Sequence, residues 1–489
     1  MTNHSYPLYW LFVERAMTLI NPKGRIGLVV PSGISADKST STFFRSVSTT
    51  GRLKALYDFE NRRKRFDLPP FFPDVDTRFK FSVFVAGRKE GEFAAARCAC
   101  FVQDLSELGD QERCFELTAK DFAKVNPNTG TAPIFRTRKD AELTTAIYDR
   151  VPVLVDRSGG EPVKSWPVRY HRMFDITNDS GLFRARAELE EKEGAWPIGG
   201  HSFDSPSGRW VPLYEGKMVQ AYDHRAASVI TNPENLFRPG QPLAATLDQH
   251  KDPAWMPAPQ YWVPEDKCSA IVKNAWVLGF KHVTAPTNAR TMIASLIPFS
   301  GVGNSFPLIL VESSKGRAAE TASLFLAVLN SIVLDFVLRQ KVQGQNLNWY
   351  IVEQLPIIPQ EQFTTTRFGK KSAAEIIREA VLELTYTAHS IGPFAQDLGY
   401  VRETGEAKSY FMWDDERRLA LRAKMDAVFF LLYGITDRED VRYIYSTFPI
   451  VEAEENEKYG SYRSLDLCLS WMNALAAGKP DADIEGDST

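Results

Sequence analysis

Cysteine is scarce. Five residues in a chain of 489, with Cys98 and Cys100 as a C-x-C pair and Cys114, Cys268 and Cys468 standing alone, build neither a disulfide framework nor a paired C-x-x-C zinc site. They read as free thiols in a reducing compartment. Histidine is also sparse. His171 and His282 have no partner at metal-ligand spacing and are assigned no chemistry. No apolar run approaches the roughly 18 residues that a bilayer crossing needs, and Met1 to Trp10 lacks the basic and apolar regions of a signal peptide. The localisation expected is cytoplasmic. Excess positive charge is missing too. The chain carries 58 basic and 61 acidic residues, a net charge of −3, which argues against a chain-wide nucleic-acid coat and leaves room for a local basic groove. No internal repeat and no Ser/His/Asp or Cys/His signature is found.

What is present is an ordinary globular composition, 44% hydrophobic and 24% charged. Leu8, Leu11, Phe12, Ala16 and Leu19 recur at helical spacing and predict one apolar helix face, ended by Asn21-Pro22-Lys23-Gly24. Ile26 to Val30 is a short β-branched run that suits a parallel strand buried on both faces. Ser35 to Val47 predicts a second helix, N-capped by Ser35. Leu53 to Phe59 and Phe79 to Val85 alternate at period two and predict two further strands, antiparallel to each other. The expected class is an α/β partial sheet over 1–90, a linker region over 91–150 with a strand near Cys98–Val102 and a helix at Ala141–Tyr148, a mixed α+β domain over 151–360, a helical region over 361–475 and a disordered tail over 476–489. Seven of the ten tryptophans fall between Val151 and Gln360. Phe325, Val328, Leu329, Ile332, Val333 and Phe336 predict one amphipathic helix. Helices are also expected at Lys370–Ser390, Asp414–Tyr433 and Thr436–Tyr445.

Several stretches carry a resemblance. Tyr9-Trp10-Leu11-Phe12-Val13-Glu14-Arg15-Ala16 followed by Gly24-Arg25-Ile26-Gly27-Leu28-Val29-Val30-Pro31-Ser32-Gly33-Ile34 is similar to the segment after the catalytic motif in adenine-specific DNA methyltransferases of restriction–modification and phage-defence systems. Pro212 to Met218 with Tyr222-Asp223-His224-Arg225, Gln343 to Trp349, and Phe430 to Ile435 with Asp437 to Ile444 resemble their recognition and C-terminal regions. The resemblance implies a class I S-adenosylmethionine fold, with Gly24–Ser32 as the fifth strand of a seven-stranded sheet. It also implies methyl transfer to adenine N6 in double-stranded DNA, with the base flipped from the stack. The glycine-rich cofactor turn and the Asn-Pro-Pro-aromatic loop belong before Leu8. The expectation is therefore a C-terminal portion that pairs with an N-terminal methyltransferase half or subunit and does not bind the cofactor or catalyse alone. Two look-alikes fail as motifs. Phe299-Ser300-Gly301-Val302-Gly303 leads into a strand-like run where a cofactor turn needs a helix. Leu68-Pro69-Pro70-Phe71 has leucine where the amide-bearing asparagine is required.

The candidate contacts follow. Phe72 either stacks on the flipped adenine or tucks into its own domain. Arg62, Arg63, Lys64 and Arg65 form a cationic loop suited to phosphates or a solvated basic loop. Lys217, Tyr222, His224, Arg225, Asn288 and Arg290 lie in or near the recognition-like stretches. Asn346 and Asn348 flank one apolar residue and so share a face. Asparagine can read adenine and arginine guanine, and for each a structural role is the alternative. Of the two functions carried forward, the first is recognition and base-pocket supply in a methyltransferase. The second is a non-catalytic DNA-binding specificity module.

Overall fold

The computed structural model describes residues 8–231, 240–313, 315–342 and 344–484. The chain forms two compact units, residues 1–165 with 353–356, and 166–352 with 357–489.

The first unit is built on a five-stranded sheet. Its elements are helix α1 (Leu8–Leu19), strand β1 (Arg25–Pro31), helix α2 (Ser41–Ser48), strands β2 (Leu53–Glu60), β3 (Lys80–Gly87), β4 (Ala95–Val102) and β5 (Phe115–Thr118), and helices α3 (Ala119–Val125) and α4 (Arg138–Arg150). The order is β1-β3-β2-β4-β5. Strand β3 pairs antiparallel with both β1 and β2, and β2 pairs parallel with β4. Phe43 of α2 packs on Phe84 of β3 at 6.2 Å, and Phe44 meets Phe122 of α3 edge-on at 5.9 Å.

Several expectations change here. The run Ile26–Val30 is an edge strand, not one buried on both faces. Ile26 and Val30 are buried, while Val29 is 59% exposed. The α1 face that spacing marks as apolar is turned outward. Leu8, Phe12 and Leu19 are 70%, 68% and 67% exposed, and only Val13 and Met17 are buried. Amphipathic spacing identifies a face that requires cover, and it does not identify what covers it. The helix predicted from Ser35 is interrupted. A short turn at Gly33–Ala36 ends at Asp37, and α2 begins at Ser41 after Thr40. Residues 91–150, read as a linker, carry two strands and two helices of this unit. Thr118 explains the restart of helix there, because its hydroxyl caps Asp121 N–H and Asp121 reaches back in a capping box.

The second unit contains two larger sheets. One runs β12-β9-β8-β7, with β15 added parallel to β9; the other runs β14-β13-β16-β6. The strands are β6 (Val168–His171), β7 (Trp196–Gly199), β8 (Ser202–Asp204), β9 (Trp210–Tyr214), β10 (Ala227–Ile230), β11 (Gln241–Ala244), β12 (Trp262–Pro264), β13 (Trp276–Phe280), β14 (Ala294–Pro298), β15 (Gly301–Val302) and β16 (Leu308–Val311). Strands β10 and β11 form a hairpin of their own. Tyr214, Val219, Val277, Ile297, Phe306 and Leu308 form a core cluster of the second unit. Helices α5 (Lys315–Asn330), α6 (Ile332–Arg339), α7 (Ala373–Thr385), α8 (Asp415–Leu432), α9 (Arg438–Ser446), α10 (Pro449–Tyr459) and α11 (Arg463–Ala476) belong to the same unit. The boundary expected at residue 360 is absent for that reason.

The helix predicted across Phe325–Phe336 is two helices. Ser331 breaks it, and its hydroxyl accepts the Leu334 N–H as the N-cap of α6. Among the described residues no single helix is long and apolar enough to cross a membrane. The bent pair Arg317–Asn330 and Ile332–Arg339 passes that test only jointly, across a 53° break. Of the tail read as disordered, residues 485–489 lie outside the described residues. Within the described part, Asp481 pairs with Lys371 at 2.9 Å.

Candidate nucleic-acid interface

In the first unit the connection from β2 to β3 is organised by Asn61, which is buried at 1% exposure. Its amide donates to the carbonyls of Phe72 and Val75 at 3.0 and 3.1 Å, and its carbonyl accepts the Phe72 N–H at 2.8 Å. Three of its hydrogen-bonding positions thus close the loop on itself, as a buried amide must. Phe71 turns inward, edge-on to Phe59 and Phe81 at 5.5 Å each. Phe72 meets Phe81 edge-on at 5.0 Å and is still 43% exposed. One edge is seated in its own domain and the rest of the ring faces solvent. Phe66, Leu68, Val75 and Phe79 are exposed on the same loop.

The four cations of this loop divide by position. Arg63 donates to the Gln103 carbonyl at 2.6 Å, pairs with Asp104 and lies 4.3 Å over the Phe71 ring. Arg65 donates to the Phe101 carbonyl at 2.6 Å and to both oxygens of Glu107, at 2.9 and 3.1 Å. These two pin the loop to the segment after β4, which corrects their assignment as phosphate contacts. Arg62 and Lys64 are exposed, and no hydrogen bond or ion pair holds the side chain of either among the described residues. Local charge density signals the loop but not this division, because the acceptors lie some forty residues further on.

In the second unit most candidates are structural. Arg225 is fully buried, and its guanidinium donates to the carbonyls of Asp252, His250 and Thr387 at 2.6, 2.8 and 3.1 Å. His224 is 2% exposed and shares a hydrogen bond of 2.9 Å with the Ser390 hydroxyl. Tyr222 is 4% exposed and adopts a left-handed backbone, φ 61°. Arg290 donates to Asp335 at 2.6 Å and to the Asn330 carbonyl at 2.5 Å. Lys217 is held 2.9 Å from Glu215 and 2.9 Å from the Gly240 carbonyl. Tyr222, His224, Arg225 and Arg290 are therefore not placed to read bases. Beside them Asp223 accepts from or pairs with His250 at 3.1 Å, and His250 stacks on Trp413 at 3.9 Å between ring centroids.

Desolvation, then the neighbouring Arg225 cation, depresses the His224 pKa to about 3. Because this lies below the unfolded value, stability is fully present above about pH 6.5 and is lost as pH falls from there toward 3. In urea denaturation between pH 7 and 4.5, the wild type is expected to lose up to about 1.4 kcal/mol per pH unit relative to His224→Gln. Parallel curves for the two proteins would show that His224 does not supply this linkage. The comparison is made against the variant because burial lifts Asp58 and Asp426 to about 6, with the opposite sign.

The exposed candidates are Asn288, Asn346 and Asn348. Leu347 is fully buried, and its N–H bonds the His282 carbonyl at 2.7 Å while Thr284 N–H bonds the Gln345 carbonyl at 3.0 Å. Asn346 bridges Val283 in this pairing, so both asparagines face outward around one anchor, as their spacing predicts. Asn288 is fixed by its backbone. Its carbonyl accepts from Arg339 at 2.6 Å, and its side chain is left exposed. Lys281, next to this pairing, is not legible as a candidate in the sequence. A lone lysine after an apolar strand carries no local signal.

No family model and no curated protein matches this sequence. Among solved structures the chain is similar to the type IIL restriction–modification enzyme MmeI, described in complex with DNA, with 11% identity, a TM-score of 0.40, and coverage of 90% of this chain and 52% of that one. It is also similar to the type IIG restriction endonuclease BpuSI, with 11% identity, a TM-score of 0.27, and coverage of 88% and 49%. The chain thus spans about half the length of each, at 52% and 49%.

Proposed function

We propose that this chain is the C-terminal portion of a site-specific, S-adenosylmethionine-dependent DNA adenine-N6 methyltransferase of the restriction–modification or phage-defence kind. The first unit supplies the last strands of the catalytic sheet and the Phe72 loop beside the flipped base. The second unit supplies target recognition. The observation that carries this reading is the edge at β1. Among the described residues it is an outermost strand of its sheet, paired on one side only. Val29 on the strand and Leu8, Leu11, Phe12 and Leu19 on α1 are exposed beside it. A long apolar edge of this kind calls for a partner strand. The other half of a class I sheet, carrying the cofactor turn and the Asn-Pro-Pro-aromatic loop, is such a partner. The antiparallel pairing of β2 with β3 agrees with the two strands expected after the fifth.

The stretch Phe299–Gly303 does not form a cofactor turn. The glycines of Phe299–Gly303 lie at β15, and β16 follows where a helix is needed. A Cβ on Gly301 would meet Val263 Cγ2 at 2.2 Å, so this glycine serves close packing against β12.

The test measures transfer of labelled methyl groups to adenine in duplex DNA. The chain is assayed alone and with a protein supplying the cofactor and Asn-Pro-Pro-aromatic motifs. No transfer is expected alone and transfer is expected in the pair. Phe72→Ala is expected to lower turnover with DNA affinity held. For Arg62→Glu with Lys64→Glu, the slope of log affinity against log salt is expected to fall by about 1.8, two phosphates at about 0.9 each. Sequence-selective, salt-dependent binding without transfer in any pairing would instead establish the specificity-module reading.

A further inference from the structure

The second unit contains a cavity of about 630 Å³ that none of the sequence candidates explains except Lys217. Its charged lining is Glu215, Lys217 and Lys281, with Gln220, Ser305 and Val283 among the remaining walls. Glu215 and Lys217 neutralise each other across 2.9 Å, and Lys217 is further tied to the Gly240 carbonyl. Lys281 is different. It follows β13 directly, and its backbone N–H is fixed to the Ile293 carbonyl at 2.8 Å. Its ammonium has no hydrogen bond or ion pair among the described residues. Among the described residues the lining therefore holds one uncompensated positive charge, on a residue whose backbone is fixed. Asp223 attracts it from further away, too weakly to offset desolvation, and its pKa falls to about 8.

A cation kept half out of water without a partner gains most from an anion that replaces its lost hydration. The position says where that anion comes from. Val283, two residues on, lines the cavity and is bridged to Asn346. The cavity and the exposed Asn346 and Asn348 thus lie on one face of this unit, with Val283 between them. We propose that the cavity is a phosphate-binding site centred on Lys281, filled by one backbone phosphate of DNA lying across the Asn346–Asn348 turn. The last clause rests on the functional reading above; the phosphate chemistry of the cavity does not.

Lysine is suited to this as a point charge that positions the backbone without reading sequence. The experiment is competitive acetylation of the intact chain, read lysine by lysine by mass spectrometry across pH. It is run in chloride, in inorganic phosphate at equal ionic strength, and with duplex DNA. Lys281 is expected to titrate near pH 8 in chloride, and to shift upward and be protected by both phosphate and DNA. Lys281→Gln is expected to weaken DNA binding evenly across sequences and to lower the salt slope by about one; Lys281→Arg restores the slope. Protection by inorganic phosphate but not by DNA that binds would overturn the backbone assignment and leave a free-phosphate site. Phosphate protection in a chain that binds no DNA would uphold the site while removing the functional reading. An unshifted Lys281 with either ligand overturns the proposal, and this arm needs no variant to fold.

Discussion

Replacing Asp335 with alanine is expected to lower the stability of the second unit by about 3–5 kcal/mol, the usual cost of breaking a buried charge pair by removing one partner. Asp335 is fully buried on α6. It accepts from Arg290 Nε at 2.6 Å, from the Thr291 N–H at 3.0 Å and from the Met292 N–H at 3.3 Å, with Arg339 Nε 3.8 Å away. Arg339 is itself committed, 4.0 Å over the Phe448 ring and donating to the Asn288 and Ala289 carbonyls. Without the carboxylate, two guanidinium groups lose their counter-ion and two backbone N–H groups lose an acceptor. The turn that carries Asn288 loses its support as well. Asp335→Asn keeps the shape but not the charge, and is expected to recover only part of the loss. Urea titration followed by tryptophan fluorescence checks this. A loss under about 1 kcal/mol for the alanine variant would mean that the two arginines find other acceptors.

The second large effect concerns Arg225. Arg225→Met is expected to cost about 3 kcal/mol, because the carbonyls of His250 and Thr387 lose the guanidinium donor and that of Asp252 keeps only the Trp255 N–H at 3.3 Å. Arg225→Lys is expected to rescue little. A planar fork that spans three carbonyls in different directions is not replaced by a single ammonium. This prediction also separates two roles for the residue. A base-reading arginine, once removed, loses about 1–3 kcal/mol of discrimination between bases at unchanged stability. The buried arginine seen here instead loses stability, and DNA affinity falls only with the folded fraction. Denaturation and DNA titration on the same variant give both numbers.

Local sequence determined a good deal. The strand at Ile26–Val30, the strands on either side of the Asn61 loop, and the helices at Asp415–Leu432 and Arg438–Ser446 follow from period, breakers and caps, with Gly434 at φ 72° stopping the first of those helices. The outward pair Asn346 and Asn348 follows from alternation about Leu347. The sequence also marks α1 as a helix with an apolar face. The five cysteines are buried and free.

Only the tertiary structure decided which polar residues are at the surface. Arg62 and Arg63 are neighbours of the same chemistry, yet Arg63 is held by Gln103 and Asp104 and Arg62 is not. His224, Arg225 and Arg290 resemble a recognition stretch but are held by a hydroxyl, carbonyls and a carboxylate 25 to 166 residues distant. Lys281 has no such partner among the described residues. The reason is physical: periodicity reports the local direction of a side chain, while a buried polar group is satisfied by whatever partner the fold brings to it, and that partner is set by non-local contacts. The outward apolar face of α1 shows the same rule from the other side. Its pattern states a need for burial, and only the packing of the sheet shows that no described residue meets that need at β1.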